Sequence, residues 1–120
     1  MKYDLVATIN IISEIQHERV RQVRGEGWTT PHDDAHVEGE LSAAAGCYAL
    51  NAACLVDAQN GEPLDFGHAV SLGWRWTREW WKPTTPRRDL IKAAALIVAE
   101  IERLDRAEKC TPSAGREKEV

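Results

Sequence analysis

The sequence predicts an all-α protein, a bundle of three long helices plus a short tryptophan-rich segment, completed by homo-oligomerisation. Apolar residues recur at helical spacing over three long stretches, and no stretch alternates in the way typical of a β-strand. The first and last helices are apolar over more than one face, which is more than one chain of 120 residues buries well. We therefore expect a homodimer or homotetramer, and a compact three-helix monomer is the alternative.

The first helix is predicted over residues 4–24. Charged residues collect between its apolar positions, so the helix is amphipathic and five to six turns long. Gly25 and Gly27 end it, because glycine favours the backbone conformations found just beyond a helix. Its apolar residues near helical spacing are Leu5, Ile9, Ile12, Ile15, Val20 and Val23.

Three polar residues of this helix share one face at a spacing of four. They are Glu14, Glu18 and Gln22. The usual interpretation is a solvent-exposed face with Arg21 and Arg24 as ion-pair partners. The alternative is a cluster that faces a pocket between helices.

The second helix is predicted to begin with Asp33 or Asp34 as its N-cap and to run to about Val56. Small residues between 42 and 49 would allow close approach of another helix. The segment 60–63, Asn-Gly-Glu-Pro, predicts a turn after it.

The last helix is predicted over residues 86–109. Pro86 suits a first helical turn, with Thr84 or Thr85 as the cap. Its stripe consists of Leu90, Ala94, Ile97, Ile101 and Leu104. Residues 64–83 before it are expected to be irregular or to contain one short helix. We expect residues 1–109 to form a single domain and residues 110–120, which are polar and charged, to be a disordered tail.

Composition excludes several classes of protein. No apolar run approaches the roughly 18–20 residues that span a bilayer, and the polar N-terminus lacks a secretory signal. Cys47 and Cys54 lie about 10 Å apart along a helix, too far for a disulfide, which indicates a cytoplasmic protein. The net charge of -4 argues against general nucleic-acid binding.

Charge is strongly segregated along the chain. Between Arg24 and Arg75 there is no Lys or Arg, whereas eight acidic residues and three of the four histidines lie there. From Leu72 to Lys92 there are six cations, two acids and four of the five tryptophans. The first stretch suits a divalent cation, and the second suits a phosphate with a flat ring. The alternative is two solvated faces that attract each other.

The start of the second helix is a candidate metal site. His32, His36 and Glu40 are four residues apart and would project from one helical face, with Asp33 at its border. Imidazoles and carboxylates within two turns form a reasonable ligand set for Mg²⁺, Mn²⁺ or Zn²⁺. Helix capping plus surface charge is the alternative.

Residues 74–83 hold four tryptophans among cations, and their function has two interpretations. Some rings are expected to form a hydrophobic plug over the small-residue helix. Alternatively, a nucleobase stacks on one ring, which contributes on the order of 1–3 kcal/mol. Phosphates would then contact the neighbouring cations Arg75, Arg78, Lys82, Arg87 and Arg88.

Three motifs, in this order, resemble the MazG-like all-α nucleoside triphosphate pyrophosphohydrolases, particularly short phage and prophage members. Residues 18–22, ERVRQ, followed by Gly-Trp at 27–28, are similar to an ER-x-x-Q…W-G start. Residues 38–44, EGELSAA, are similar to the E-E-x-G-E helix, and residues 88–95, RDLIKAAA, are similar to the R-E-E-L helix. Together they cover about two-thirds of the chain.

The resemblance implies Mg²⁺ (or Mn²⁺)-assisted attack of water on a nucleotide phosphate, with release of pyrophosphate. Glu40 matches a metal-binding and catalytic Glu of the family, and Asp89 matches another acid. His36 and Val37 stand at the positions of two further Glu residues, and Lys92 at that of an Asp. The implied metal ligands are therefore His36, Glu40 and Asp89, with Asp33 and Glu38 close enough to substitute. Glu18 would orient the water.

The substrate of this activity would be a nucleotide. A tryptophan would stack on the base and the cations would hold the phosphates. The expected contacts are Trp28, Trp80, Trp81, Lys82, Arg87, Arg88 and Lys92.

Two other functions stay open at this point. A phage-type protein on the same scaffold would bind and sequester a nucleotide without cleaving it, with Lys92 neutralising a phosphate directly. Alternatively, the tryptophan patch would dock a protein partner. In each case we expect a cytoplasmic location (the host cytoplasm for a phage-encoded chain) and no membrane partner.

Overall fold

The computed structural model describes residues 2–59 and 61–110, and over these residues the chain is helical with no strand. The helices are α1 (Leu5–Gly25), α2 (Thr30–Asp34), α3 (Glu40–Val56), α4 (Phe66–Ser71), a 3₁₀ helix (Arg78–Trp80) and α5 (Pro86–Cys110). The predicted all-α class with three long helices is confirmed. Of the tail predicted over residues 110–120, Cys110 is the last residue of α5 and the rest lies outside the described residues. No helix in the described ranges combines the length and apolar character needed to cross a bilayer.

The core lies between α3 and α5. Small side chains on both helices let the two backbones approach closely, and Leu41 and Leu96 are completely buried between them. Burial of a leucine contributes about 1.5–3 kcal/mol, so these contacts dominate the stability of the fold. The small core residues are Ala44, Ala45, Cys47, Ala52, Ala93, Ala95 and Ala99.

Helix α1 packs on α5 with its polar side. Its only two buried residues are Glu18 and Gln22, whereas Ile9 and Ile12 are 54% and 59% exposed. Solvent exposure, the usual interpretation of the Glu14–Glu18–Gln22 face, is therefore wrong for these two residues. The amphipathic helix was predicted correctly, but its apolar side points away from its own chain.

The second predicted helix is interrupted. A short helix, α2, ends at Asp34, and α3 begins at Glu40 rather than near Asp33. Gly39 precedes α3 with a φ of 85°, a left-handed conformation that a continuous right-handed helix cannot contain. Asp33 is buried in α2 instead of capping a long helix.

The start of α5 agrees with the prediction. Pro86 is its first residue, and the Thr85 hydroxyl accepts a hydrogen bond from the Arg88 N–H at 3.2 Å. This satisfies one of the donors left free at a helix N-terminus. The preceding residues 64–83 contain α4 and the 3₁₀ helix within otherwise irregular chain.

The two cysteines of α3 are both free thiols, as expected from their separation. Cys47 is buried and its Sγ lies 3.5 Å from the Ala69 carbonyl oxygen. Burial raises the pKa of the Cys47 thiol, so this side chain packs in the core and is a poor nucleophile.

Candidate functional site

A pocket of about 280 Å³ opens beside α2 and the tryptophan-rich segment. We call it the aromatic pocket. Indole and imidazole rings form most of its wall, and one guanidinium lies at its side, so it suits a planar ring that carries negative charge. Its lining residues are Trp28, His32, His36, Arg75, Trp76, Thr77 and Trp80.

The rings of the aromatic pocket support one another. Trp28 stacks on His32, with centroids 5.9 Å apart and planes within 5°. It also contacts Trp76 and Trp80, at centroid distances of 5.4 and 5.9 Å. Each ring is therefore held in place before any ligand arrives, which lowers the entropy lost on binding.

Two of the tryptophans pack on the core, as expected for the hydrophobic plug over the small-residue helix. Trp74 is buried, and Trp81 stacks on Tyr48 with ring centroids 4.9 Å apart. The Trp81 indole donates a hydrogen bond to the Leu64 carbonyl oxygen at 3.4 Å. Trp81, an expected substrate contact, thus packs against the core and does not line the aromatic pocket.

A second, narrower cleft lies on the other side of Trp28 and contains a charged cluster. Five of its side chains line the cleft, and Arg88 reaches Glu18 from the adjoining surface. The cluster has four cations and two acids: Glu18, Arg21, Glu26, Lys82, Arg88 and Lys92. Ion pairs connect five of them, and Lys92 is linked through its hydrogen bond to the Lys82 carbonyl oxygen. With the Asp89 carboxylate, 4.0 Å from the Lys92 ammonium, the net charge of the group is +1. A surplus of cations around partly buried acids attracts a polyvalent anion.

Glu18 is at the centre of the charged cluster. Its side chain is buried and accepts two hydrogen bonds from Arg21, both of 2.8 Å, and another from Arg88. Burial alone would raise the pKa of Glu18, but the bonds from the two guanidinium groups outweigh it and the pKa is lowered. Glu18 is therefore ionised and fully engaged at neutral pH.

Lys92 brings a cation to the floor of the cleft. Its side chain is 10% exposed, and its Nζ donates to the Lys82 carbonyl oxygen at 2.5 Å and lies 5.4 Å from the centre of the Tyr48 ring. Burial is the main reason that the pKa of Lys92 is lowered from its ordinary value. Burial also raises the pKa of Tyr48 to about 12, so its hydroxyl stays protonated.

Trp28 joins the two cavities, because it lines both the aromatic pocket and the cleft of the charged cluster. Trp80 extends this connection, since its ring lies 5.4 Å from the Lys82 ammonium and lines the aromatic pocket. A flat ring and a set of cations are thus neighbours within one surface.

Asp89, an expected metal ligand, is buried away from both cavities. Its carboxylate accepts hydrogen bonds from the Asn51 side chain at 2.7 Å and from the Thr84 N–H at 2.8 Å. The Asn51 oxygen in turn accepts from the Leu64 N–H at 2.7 Å. Asp89 therefore ties α3, α5 and the loop between them together, and this role occupies its lone pairs.

The acids of the α2–α3 region are dispersed. Asp33 is fully buried and pairs with Arg19 at 2.6 Å. Glu38 is exposed, and its carbonyl oxygen accepts a hydrogen bond from Arg75 at 2.8 Å. Among the described residues no group of three or more His, Cys, Asp or Glu side chains could hold a metal ion.

These positions do not fit a bound Mg²⁺. The ion requires several oxygen ligands in octahedral geometry. The expected acids instead face protein donors at separate places, and Glu40 has His36 as its nearest expected ligand, at 3.6 Å.

Arg87 lies outside both cavities. Its guanidinium donates to both oxygens of Glu14 on α1, at 2.9 and 2.6 Å. This exposed ion pair joins α1 to the first turn of α5. Arg88, one residue later, points to Glu18 and belongs to the charged cluster.

Comparison of the chain with protein-family models, curated proteins and solved structures finds no match. The resemblance to MazG-like enzymes stays a prediction that rests on the motifs of the sequence.

Two members of the site, Trp76 and Arg21, were not among the expected substrate contacts, whereas Arg75 was among the cations expected to contact phosphates. Trp76 belongs to the tryptophan-rich segment 74–83, but the position of a tryptophan in this segment does not show whether its ring faces a pocket or the core. Arg21 is three residues from Glu18, a helical spacing that permits an ion pair, and five residues from Glu26, with which it also pairs just beyond the helix. The folded path of the loop decides which rings face the pocket, and residue spacing along the chain does not show that path.

Proposed function

We propose that the protein binds a nucleotide, with the base in the aromatic pocket and the phosphates on the charged cluster. The observation that carries this proposal is the position of Trp28, which lines both cavities. A ligand with a flat ring at one end and several negative charges at the other matches this arrangement. The nucleotide class satisfies both requirements.

Stacking and charge supply the affinity in this proposal. A base stacked on an indole contributes on the order of 1–3 kcal/mol. Charge-assisted hydrogen bonds from Arg21, Lys82 and Lys92 to phosphate oxygens are among the stronger hydrogen bonds in proteins. Phosphates would replace Glu18 and Glu26 as partners of these cations, and the surplus of cations over acids favours that exchange.

Hydrolysis of the nucleotide is the second candidate function. The order of the MazG-like motifs favours it, together with the pairing of His36 with Glu40 beside the aromatic pocket. The engagement of Asp33 and Asp89 with protein donors favours binding without cleavage. For that reason we place binding first.

The test is calorimetric titration of the full chain with a panel of ribonucleoside and deoxyribonucleoside triphosphates, with and without Mg²⁺ or Mn²⁺. We expect binding without release of pyrophosphate. Lys92→Met and Trp80→Leu should each weaken it by about tenfold or more. Arg78→Ala is the matched cation control, because Arg78 packs over Phe66 at 5.4 Å and lines neither cavity.

Each alternative has its own outcome in this experiment. Pyrophosphate release that is abolished by Glu40→Ala would establish the hydrolase. Failure to bind any nucleotide would overturn the proposal and leave docking of a protein partner on the tryptophan patch as the surviving hypothesis.

We also propose that a second copy of the chain covers the apolar sides of α1 and α5. These sides are unpaired within the described chain, and both carry stripes at helical spacing, so two copies can present the same surface to each other around a twofold axis. The result would be a bundle in which each long stripe is buried. The exposed residues are Leu5, Ile9, Ile12, Val20, Leu90, Ile97, Ile101 and Leu104.

A further inference from the structure

The imidazoles of the aromatic pocket have their ring nitrogens occupied by the protein itself. The Nε2 atoms of His32 and His36 share a hydrogen bond of 3.2 Å. The His32 Nδ1 lies 3.2 Å from the Asp33 carboxylate, and the His36 Nδ1 lies 3.6 Å from that of Glu40. Because each ring nitrogen makes a single hydrogen bond, these two rings offer a ligand their surfaces for stacking and not their nitrogens.

The other polar group beside the rings, Thr77, is also engaged within the chain. Its hydroxyl donates a hydrogen bond to the Glu79 carboxylate at 3.3 Å, and its carbonyl oxygen accepts one from the Trp80 N–H at 3.1 Å. The indole nitrogen of a tryptophan can only donate. The wall of the aromatic pocket therefore has more donors than acceptors to offer to the edge of a flat ring.

Arg75 is the group at this wall that has donors to spare. Its Nη1 donates to the Glu38 carbonyl oxygen at 2.8 Å, which holds the guanidinium at the side of the pocket. Arg19 and Arg21 pair with carboxylates, but Arg75 has no carboxylate partner among the described residues. A guanidinium carries five N–H donors in one plane, so Nε and Nη2 keep donors for a ligand.

A planar pair of donors matches a ring edge that has two neighbouring acceptors. Guanine has this edge, formed by its O6 and N7 atoms, and hypoxanthine shares both atoms. Adenine has an amino donor beside its N7, cytosine has an amino donor at the corresponding edge, and uracil has a single oxygen there. Among the common bases, the 6-oxopurines therefore fit the guanidinium best.

We propose that the aromatic pocket selects nucleotides with a 6-oxopurine base, through a paired hydrogen bond from the Arg75 guanidinium to O6 and N7. This inference rests on the proposed nucleotide function and names the base of its ligand. Stacking on the indoles is available to every base, so it supplies affinity without selecting among them. Arg75 supplies the selection.

The test is calorimetric titration of the full chain with GTP, ITP, ATP and 7-deaza-GTP, without added metal. GTP and ATP have the same ring system and the same phosphates, so their difference reports the contacts to the edge of the base. We expect GTP and ITP to bind alike, and about tenfold more tightly than ATP. 7-deaza-GTP lacks one of the two acceptors and should bind with intermediate affinity.

Arg75→Met keeps a long side chain but removes the donors, so it should bring the ratio of GTP to ATP affinity to about one. Arg78→Met is the matched control, because it removes the same charge from a residue that lines neither cavity. In this control we expect the ratio of the unaltered chain. A loss of charge that weakens both nucleotides equally cancels in the ratio.

The outcomes separate this inference from the function on which it rests. Equal binding of GTP and ATP by the unaltered chain would overturn the inference and leave nucleotide binding in place. A preference for GTP that persists in Arg75→Met, or 7-deaza-GTP that binds as tightly as GTP, would overturn it as well. Failure to bind any of the four nucleotides would overturn the proposed function and the inference together.

Discussion

Lys92 is a buried cation at the position where the proposed nucleotide places its phosphates. Its ammonium has a backbone carbonyl and an aromatic ring as neighbours, and the Asp89 carboxylate lies 4.0 Å away. Burial nevertheless lowers its pKa, so the charged form is less favourable in the folded chain than in the unfolded one. A residue that destabilises the fold while it strengthens anion binding is typical of a functional position.

We predict that Lys92→Met raises the free energy of unfolding by about 1 kcal/mol near pH 7 while it weakens nucleotide binding. The folded-state pKa lies below the unfolded value, so the charge destabilises the fold fully below the folded-state pKa, and this effect fades as pH rises through that pKa towards the unfolded value. Urea unfolding at neutral and alkaline pH measures both effects. A less stable variant would show that the bond to the Lys82 carbonyl outweighs burial.

Asp89 has a structural role that is distinct from metal binding. We predict that Asp89→Ala lowers the free energy of unfolding by about 3 kcal/mol, because it leaves the buried Asn51 side chain without its acceptor and removes the acceptor of the Thr84 N–H. Asp34→Ala is the control, since it breaks only a partly exposed pair with Arg106 and should change stability by less than about 1 kcal/mol. Urea unfolding measures the free energy of unfolding of both variants, and equal losses would contradict a structural role for Asp89.

Glu18 makes the stability of the fold dependent on acid. Its folded-state pKa is below the ordinary 4.5, so its contribution is complete above that pH and is lost as pH falls through the folded-state value. We predict that Glu18→Gln lowers the free energy of unfolding by about 2–3 kcal/mol near pH 7 and flattens its decline in acid.

The matched control for Glu18 is Glu14→Gln on the same helix face. Glu14 is exposed and pairs with Arg87, so solvent screens that interaction and the change in stability should be much smaller. A pH profile that stays as steep in Glu18→Gln as in the unaltered chain would show that other carboxylates govern acid unfolding.

At the scale of elements, α1 is unusual because its polar side faces the protein and its apolar side faces outward. Ion pairs hold it to α5, through Glu14 with Arg87 and Glu18 with Arg88. The Glu14–Arg87 pair is exposed and contributes little stability, so beyond the buried Glu18 contact α1 gains most from burial of its apolar side. A second copy of the chain supplies that burial in our proposal.

We predict that Ile101→Glu converts the assembly to a monomer. Ile101 is 52% exposed in the middle of the α5 stripe, and a carboxylate there would be buried without a partner in a paired bundle. Val70→Glu is the control, since Val70 is similarly exposed, at 47%, but lies on α4 away from both stripes. Sedimentation equilibrium measures the mass. A monomeric unaltered chain at micromolar concentration would contradict the proposal.

Gly39 controls the break between α2 and α3. We predict that Gly39→Ala lowers the free energy of unfolding by about 1 kcal/mol, because its φ of 85° strains any residue with a Cβ. No neighbouring atom lies within 4 Å of the added Cβ, so the effect is conformational and not steric. Gly46→Ala in α3 is the control and should stabilise the helix, since its surroundings are equally open. Urea unfolding of both variants is the measurement.

At the scale of the whole molecule, the site forms where four separate parts of the chain meet. Trp28 follows α1, the histidines lie on and after α2, the tryptophans belong to the segment before α5, and Lys92 lies on α5. The tightly packed α3–α5 pair provides the rigid base, because small side chains bring these helices together. The loops that carry the rings are held by this base through Asp89 and Tyr48.

The sequence was sufficient for the helical class, for the three long helices and for the start of α5 at Pro86. Helical spacing, caps and proline are local signals that neighbouring residues express without help from the rest of the chain. It was also sufficient to select the segment with the tryptophans and cations. The break at Gly39 was missed, because the acidic residues around it are equally compatible with a continuous helix.

The three-dimensional arrangement decided which side chains face each other. Several contacts join residues from different parts of the chain. Arg19 pairs with Asp33, and Asn51 donates a hydrogen bond to Asp89. Glu18 is buried, and the imidazoles of His32 and His36 approach to 3.2 Å. Such contacts depend on how helices are rotated and offset when they pack, to within an ångström. Residue spacing within one helix carries no information about that rotation, because every face that is consistent with the pattern packs equally well until a partner surface is present.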